Sequence, residues 1–241
     1  MHYPHPIEIA DRRKRIACIL AAMILVMAGI LYAIWPTGPY GPYYKGRPLT
    51  AWLEDYTNPI RHLRNLRKLG TASFMQGFKD SQNAVNAIGT NAIPTLLQLM
   101  QAKDSWPRAI CLNVIDRPMS QQDYFISARH KRDLAAAGFM LLNTNALSAA
   151  PELIKLTANS DPDVRRRAFG GLVMVETPNL KPLLPVLVQF SHDPDPMNRE
   201  MAAQHIQYIL PAVSPEDAKA AGVYEAFPEL KSSAANEPRQ L

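Results

Sequence analysis

The clearest hydrophobic pattern is an uninterrupted apolar segment near the N-terminus. Residues 16–35 read IACILAAMILVMAGILYAIW, which is 20 residues without a charged side chain. A helix of this length measures about 30 Å at about 1.5 Å per residue, which matches the hydrocarbon thickness of a bilayer. The pattern therefore predicts a single transmembrane helix over residues 16–35.

The charges around this segment predict its orientation. Residues 12–15 read RRKR, and no further basic residue follows until Lys45. By the positive-inside rule, residues 1–15 form a basic cytoplasmic tail, and the rest of the chain lies on the periplasmic (extracytoplasmic) side of the inner membrane. A cleaved signal peptide is the alternative, but the apolar segment is long for one and Trp35-Pro36 is a poor cleavage site. We therefore expect an uncleaved signal anchor.

Two flanking segments have compositions that oppose regular structure. Residues 36–48 contain four prolines and three glycines, which predicts an extended spacer between membrane and body. Residues 229–241 are polar and predict a disordered tail. The predicted folded domain is residues 49–228.

Within this domain the apolar residues follow helical spacing, and the sequence repeats itself. Residues 151–172 align without a gap with residues 185–206, at an offset of 34 and with six identities. Each copy predicts two helices joined by a short polar turn, which in the first copy is residues 159–163 after a helix over residues 146–158. Further upstream, residues 87–99 resemble residues 141–153, so the pattern extends beyond two copies.

Residues 161–172, DPDVRRRAFGGL, resemble the HEAT-like repeat first described in phycobilisome lyases. Residues 44–53 and 215–223 further resemble segments that flank the repeats of membrane-anchored HEAT-repeat proteins of the verrucomicrobial type. The resemblance implies an all-α fold, an α-solenoid of HEAT-like helix pairs, in which a repeated arginine binds turn groups between successive units. The positions that match the repeat pattern are Asp161, Arg165 and Ala168 in one unit, and Asp193, Arg199 and Ala202 in the next.

Composition narrows the classes of partner. The chain has 26 Lys and Arg residues against 21 Asp and Glu residues, a net charge of +5. Residues 1–15 account for +2 of this, so the remaining chain carries only +3. Nucleic-acid binding needs a concentrated basic surface, so we expect no nucleic-acid partner. Two cysteines exclude a disulfide framework.

The sequence contains no recognisable catalytic motif. The six histidines form no metal-binding spacing, Cys111 lies among apolar residues, and the sequence lacks phosphate-binding and dinucleotide motifs. We therefore predict no catalytic residue, cofactor, metal ion or small-molecule substrate. Three basic clusters, at residues 61–68, 129–132 and 165–167, are interpreted as solvated helix faces with one arginine per unit turned inward. Lipid-headgroup contact is the alternative for the first cluster, through Arg61, Arg64 and Lys68.

These observations predict a membrane-tethered scaffold for protein–protein interaction, with an unidentified protein partner and no enzymatic activity of its own. A stack of helix pairs offers an extended surface rather than a chemical pocket. The alternative is an enzyme or an enzyme accessory subunit of the lyase-like type, which turnover or a bound chromophore would reveal.

Overall fold

The computed structural model describes residues 16, 18–29, 41–57, 75–104, 127–176 and 180–230. Of these, 81% are helical and 2% lie in strands, which confirms the all-α class. The chain divides into two compact units, one of residues 1–38 and 103–128 and the other of residues 39–102 and 129–241. The second unit contains nearly all of the described elements.

The first unit contains the described part of the predicted membrane segment. Residues 18–29 are helical and every one of them is exposed. Among the described residues, no helix combines the length and apolar character that crossing a membrane requires. Residues 1–15 and 30–35, which complete the predicted tail and anchor, lie outside the described residues.

The structure differs from the predicted spacer at residues 41–48, which fold into a small hairpin. Strands β1 (Tyr43–Tyr44) and β2 (Arg47–Pro48) pair antiparallel, with Tyr43 opposite Pro48. Lys45 and Gly46 make the turn, both at positive φ (47° and 73°), the backbone geometry that tight hairpins of this twist require. Prolines do not prevent this hairpin because Pro48 lies at its end, where a ladder N–H is not needed.

This hairpin packs onto the first helix of the body, α1 (Leu49–Thr57). The indole N–H of Trp52 donates to the carbonyl of Tyr44 (3.3 Å), and the Arg47 guanidinium lies 4.1 Å from the Trp52 ring centre. Arg47 also donates to the Asp55 carboxylate at 2.6 Å. Residues 41–48 therefore belong to the folded body, whose first residue is earlier than the predicted boundary at 49.

The remaining described elements follow as short helices. Residues 75–88 are helical. The described chain has three 3₁₀ turns: Gly89–Ala92 and Asn143–Ala149 each lead into an α-helix, and the third is Leu210–Ala212. The α-helices are α2 (Ile93–Met100), α3 (Ala128–Leu142), α4 (Ala150–Leu156), α5 (Pro162–Glu176), α6 (Leu183–Ser191), α7 (Pro196–Ile209), α8 (Pro215–Ala220) and α9 (Val223–Ala226).

The helix predicted over residues 146–158 is shorter than expected. The structure has a 3₁₀ turn up to Ala149 and an α-helix only over Ala150–Leu156, with a kink at Ala146 (φ −98°, ψ 16°). The first two 3₁₀ turns begin with a residue at positive φ, Gly89 at 59° and Asn143 at 48°. Glycine and asparagine tolerate this conformation best. The predicted likeness of residues 87–99 to residues 141–153 therefore extends to their backbone.

The core runs continuously between paired helices. Helix α4 packs along α5, and α6 packs along α7. Three phenylalanines on α3, α5 and α6 are completely buried, and the rings of Phe169 and Phe190 lie 5.0 Å apart. The core continues to the last described residue, Leu230, which is 7% exposed. Residues 229 and 230 thus belong to the body rather than to the predicted tail, and residues 231–241 lie outside the described part.

Candidate functional site

The most regular polar feature of the body is the turn between the two helices of each pair. In the first turn, the Asn159 side-chain oxygen accepts from the Asp161 N–H (2.9 Å), and the Asp161 carboxylate accepts from the Asp163 N–H (2.9 Å). Short polar side chains that bind the backbone two residues on are the usual basis of such turns. Pro162 then begins α5, where its missing N–H costs little.

The second turn has the same hydrogen bonds at the equivalent positions of the sequence repeat. The Asp193 carboxylate accepts from the Asp195 N–H (2.8 Å), and Asp195 caps α7 by accepting from the Met197 N–H (2.8 Å). Pro196 begins α7 as Pro162 begins α5. The repeated sequence therefore folds into a repeated local geometry.

Each turn is held by an arginine from the helix that follows it. Nη1 of Arg165 donates to the carbonyls of Asn159 (2.8 Å) and Ser160 (3.1 Å). Nη1 of Arg199 donates to the carbonyls of Asp193 (2.7 Å) and Pro194 (3.0 Å). These two arginines, both predicted as repeat positions, thus satisfy carbonyls that the turn leaves without a helical partner.

Arg165 also joins one turn to the next. Its Nε and Nη2 each donate to one carboxylate oxygen of Asp193, both at 2.6 Å. The two side chains are only 11% and 5% exposed. This bidentate geometry is the strongest form of the arginine–carboxylate pair, so Arg165 connects the turn before α5 to the turn before α7.

Arg132 on α3 makes the corresponding contact with the turn before α5. It lies 2.6 Å from the Asp161 carboxylate and 3.1 Å from the Asp163 carboxylate, and its side chain is 10% exposed. In this turn the position equivalent to Asp193 is the uncharged Asn159, so the arginine pairs with the next two acidic residues instead. We call the set Arg132, Asp161, Asp163, Arg165, Asp193 and Arg199 the arginine–aspartate ladder.

The basic clusters at residues 129–132 and 165–167 are less solvated than expected. Arg132 is buried, and Arg166 and Arg167 both contact Asp163, at 2.5 Å and 3.2 Å. Arg167 also pairs with Asp133. Asp163 therefore faces three arginines. Arg132 fits the expectation of one inward arginine per unit, whereas Arg166 and Arg167 are partly buried in ion pairs and are not fully solvated.

The electrostatics of the ladder favour its charged state. Burial on its own raises the pKa of Asp193, but the hydrogen bonds from Arg165, the Asp195 N–H and Asn198 outweigh it and hold this pKa below its usual value. The pKa values of Asp161 and Asp163 are also lowered, because their arginine contacts outweigh burial. The hydrogen bond to Asp193 raises the pKa of Arg165 above its usual value.

The predicted small positions lie inside the core. Ala168 and Ala202 are both completely buried. A closer approach occurs at Gly138 on α3, where a Cβ atom would overlap the Leu96 side chain of α2. Small residues therefore allow neighbouring helices to pack closely, and Gly138 is a position that the repeat alignment missed.

Two buried polar residues were also missed by the sequence reading. His130 is 1% exposed, and burial lowers its pKa from 6.5 to about 4, although the nearby Asp133 carboxylate opposes this shift. Asn198 is completely buried and donates to the Pro162 carbonyl at 3.3 Å. A polar residue on an apolar helix face was the only available signal, and it does not specify a partner.

The remaining sequence candidates do not form a site in the described part of the chain. Arg61, Arg64, Lys68 and Cys111 lie outside the described residues. His192 is exposed, and within the described ranges its hydrogen bonds are to its own helix end, through Ser191 and the Val188 carbonyl. The described residues contain no group of three or more histidine, cysteine or acidic side chains placed to hold a metal ion. The arginine–aspartate ladder is therefore a charged, hydrogen-bonded framework that fixes the geometry of the turns.

No family model, curated protein or solved structure matches the chain.

Proposed function

We propose that the protein is a membrane-tethered scaffold for protein–protein interaction on the extracytoplasmic side, and that its body is an α-solenoid of HEAT-like helix pairs. The observation that carries the proposal is the turn geometry, which recurs at equivalent positions of the sequence repeat. The contacts of Arg165 to its own turn carbonyls, at 2.8 and 3.1 Å, closely match those of Arg199, at 2.7 and 3.0 Å.

The Arg165–Asp193 pair supports a stacked arrangement of units. In a solenoid each unit contacts chiefly its neighbours, and the stack is stabilised by contacts between adjacent units. The ladder supplies such contacts on the turn side, from Arg132 to Asp161 and from Arg165 to Asp193. The buried Phe169 and Phe190 rings supply them within the core.

The tether rests on the apolar segment and its basic flank. The side chains of residues 18–29 are all exposed, among them Ile24 at 67% and Leu25 at 73%. Large apolar side chains that are exposed around a whole helix need another apolar phase. A bilayer would provide it, and the RRKR sequence at residues 12–15 supports a location of the body outside the cytoplasm.

An interaction role is supported by large apolar residues that the stack leaves exposed. Met140 on α3, Met174 on α5 and Tyr208 on α7 are 42%, 39% and 85% exposed. Met174 and Tyr208 are 34 residues apart, which equals the offset of the sequence repeat, so these two residues occupy equivalent positions on α5 and α7. Methionine and tyrosine are typical of adaptable protein-binding surfaces.

The test is site-specific photocrosslinking of the full chain in its native membrane. We replace Tyr208 by p-benzoylphenylalanine and expect a discrete protein adduct after irradiation. The matched control carries the same crosslinker and Leu172→Asp, which places a charge in the completely buried core and should unfold the body. An adduct that persists in the unfolded control, or no adduct from the folded chain, contradicts the scaffold proposal.

A further inference from the structure

Arg199 is the last arginine of the arginine–aspartate ladder. In the described part of the chain, the side of its guanidinium that carries Nε and Nη2, which we call the open edge, has no partner. Nη1 of Arg199 binds its own turn carbonyls as Nη1 of Arg165 does. Within the residues that the structure describes, Nε and Nη2 of Arg199 contact no acceptor, whereas the same two atoms of Arg165 bind Asp193. Arg199 is also exposed.

The sequence of the next turn explains why this edge is open. The helices that follow α7 are α8 and α9, and they are joined by Ala221 and Gly222. Gly222 makes this turn at positive φ (78°), and neither residue carries a carboxylate. The chain therefore has the arginine for a further arginine–aspartate pair, but the following turn lacks the aspartate that would complete it.

The open edge is held in position before any ligand arrives. The two carbonyl bonds from Nη1 fix the guanidinium plane at the start of α7, in the orientation that Arg165 uses to bind a carboxylate. A planar guanidinium with two parallel N–H donors fits a carboxylate bidentately, and fixing it beforehand reduces the entropy lost on binding.

We propose that Arg199 is a docking point for the carboxylate of an aspartate or glutamate side chain from a protein partner, which takes the place that Asp193 takes on Arg165. The inference rests on the proposed function, because it names the chemistry of one contact of the scaffold. Met197 lies two residues before Arg199 at the start of α7 and is 57% exposed, so it offers a position for a crosslinker near the open edge.

The experiment again uses the full chain in its native membrane, with p-benzoylphenylalanine in place of Met197. Arg199→Lys retains a charge that can hold the turn carbonyls but lacks the bidentate edge. The matched control is Glu200→Gln, which changes an exposed neighbour that bonds only Gln204 within the described chain (3.2 Å). Thermal melting verifies that both variants remain folded.

We expect a protein adduct whose crosslinked peptide contains aspartate or glutamate. Its yield should fall by roughly fivefold to tenfold in Arg199→Lys, a typical effect of losing one charge-assisted bidentate contact, and should not change in Glu200→Gln. An unchanged yield in Arg199→Lys, a lipid adduct, or an adduct with a second copy of this chain overturns the inference. Adducts from Tyr208 but none from Met197 also overturn it and leave the scaffold proposal intact, whereas no adduct from either position overturns both.

Discussion

Arg165 is the arginine of α5 whose removal should disturb the body most. Its side chain donates two hydrogen bonds to Asp193 and two to the carbonyls of the preceding turn. Among the described residues, Arg165→Ala leaves the Asp193 carboxylate, which is 5% exposed, with the Asp195 N–H and Asn198 as its donors. Breaking a buried ion pair in this way costs about 3–5 kcal/mol. We expect a loss of about 3 kcal/mol, because the Ser160 carbonyl lies in an exposed residue and can bind water instead.

The matched control is Arg166→Ala on the same helix. Arg166 pairs with Asp163 at 2.5 Å, but its side chain is 26% exposed and Asp163 keeps Arg132 and Arg167. Ion pairs of this kind contribute about 0–1 kcal/mol, so we expect a loss of about 0.5 kcal/mol.

The assay is urea unfolding of the full chain in mild detergent, followed by far-ultraviolet circular dichroism. A double-mutant cycle with Asp193→Ala should give a coupling energy of about 1.5–3 kcal/mol, the range for residues in one charged network. Equal losses for Arg165→Ala and Arg166→Ala, or a coupling near zero, would show that the Arg165–Asp193 pair does not join the two turns.

Three further predictions concern acid stability, close packing and topology. The free energy of unfolding should fall by about 3 kcal/mol between pH 6.5 and 4, because the unfolded chain protonates His130 first and each pKa unit is worth about 1.4 kcal/mol. His130→Gln should remove this pH dependence in urea titrations at several pH values. An unchanged dependence would contradict the assignment to His130. Below about pH 4 the wild type should lose further stability as Asp161, Asp163 and Asp193, whose pKa values are lowered, take up protons. Gly138→Ala should lower the free energy of unfolding by about 1–3 kcal/mol, the usual cost of overpacking, because the added methyl group overlaps the completely buried Leu96. Gly170→Ala is the control: this position has open space around it, so the substitution should be neutral or stabilising in the same titration. Alkaline phosphatase fused after Leu53 should be active, and an inactive fusion would contradict the extracytoplasmic location.

The sequence predicted the elements whose signal is local. The Asp-Pro turns and the arginines that follow them recur at a fixed offset, and each contact within a turn spans only a few residues, so Asp161, Arg165, Asp193 and Arg199 could be selected without a structure. The helix start at Ala150 could not be placed correctly, since the kink at Ala146 comes from backbone geometry that alanine does not reveal.

Contacts between successive repeats could not be predicted from the sequence in the same way. Arg132 belongs to a cluster that looks solvated, and only the fold brings it to Asp161, at a sequence separation of 29. The hairpin of residues 41–48 was missed because prolines and glycines predict an extended segment, whereas its packing depends on Trp52 of α1, which contacts both Tyr44 and Arg47. Such pairings depend on tertiary packing, which overrides local propensity.

The claim that the two turns belong to successive units of one stack is tested most directly by deleting one unit. Removing residues 163–196, one full repeat, joins Pro162 to Met197 and so connects equivalent positions of the two turns. Removing residues 163–192 instead joins Pro162 to Asp193 and breaks the register. Because the stability of a stack is a sum over units and their interfaces, the first deletion should give a helical protein that unfolds cooperatively at a lower urea concentration, and the second should not fold. If both deletions unfold the body, or both behave alike, the chain is not built from stacked, interchangeable units.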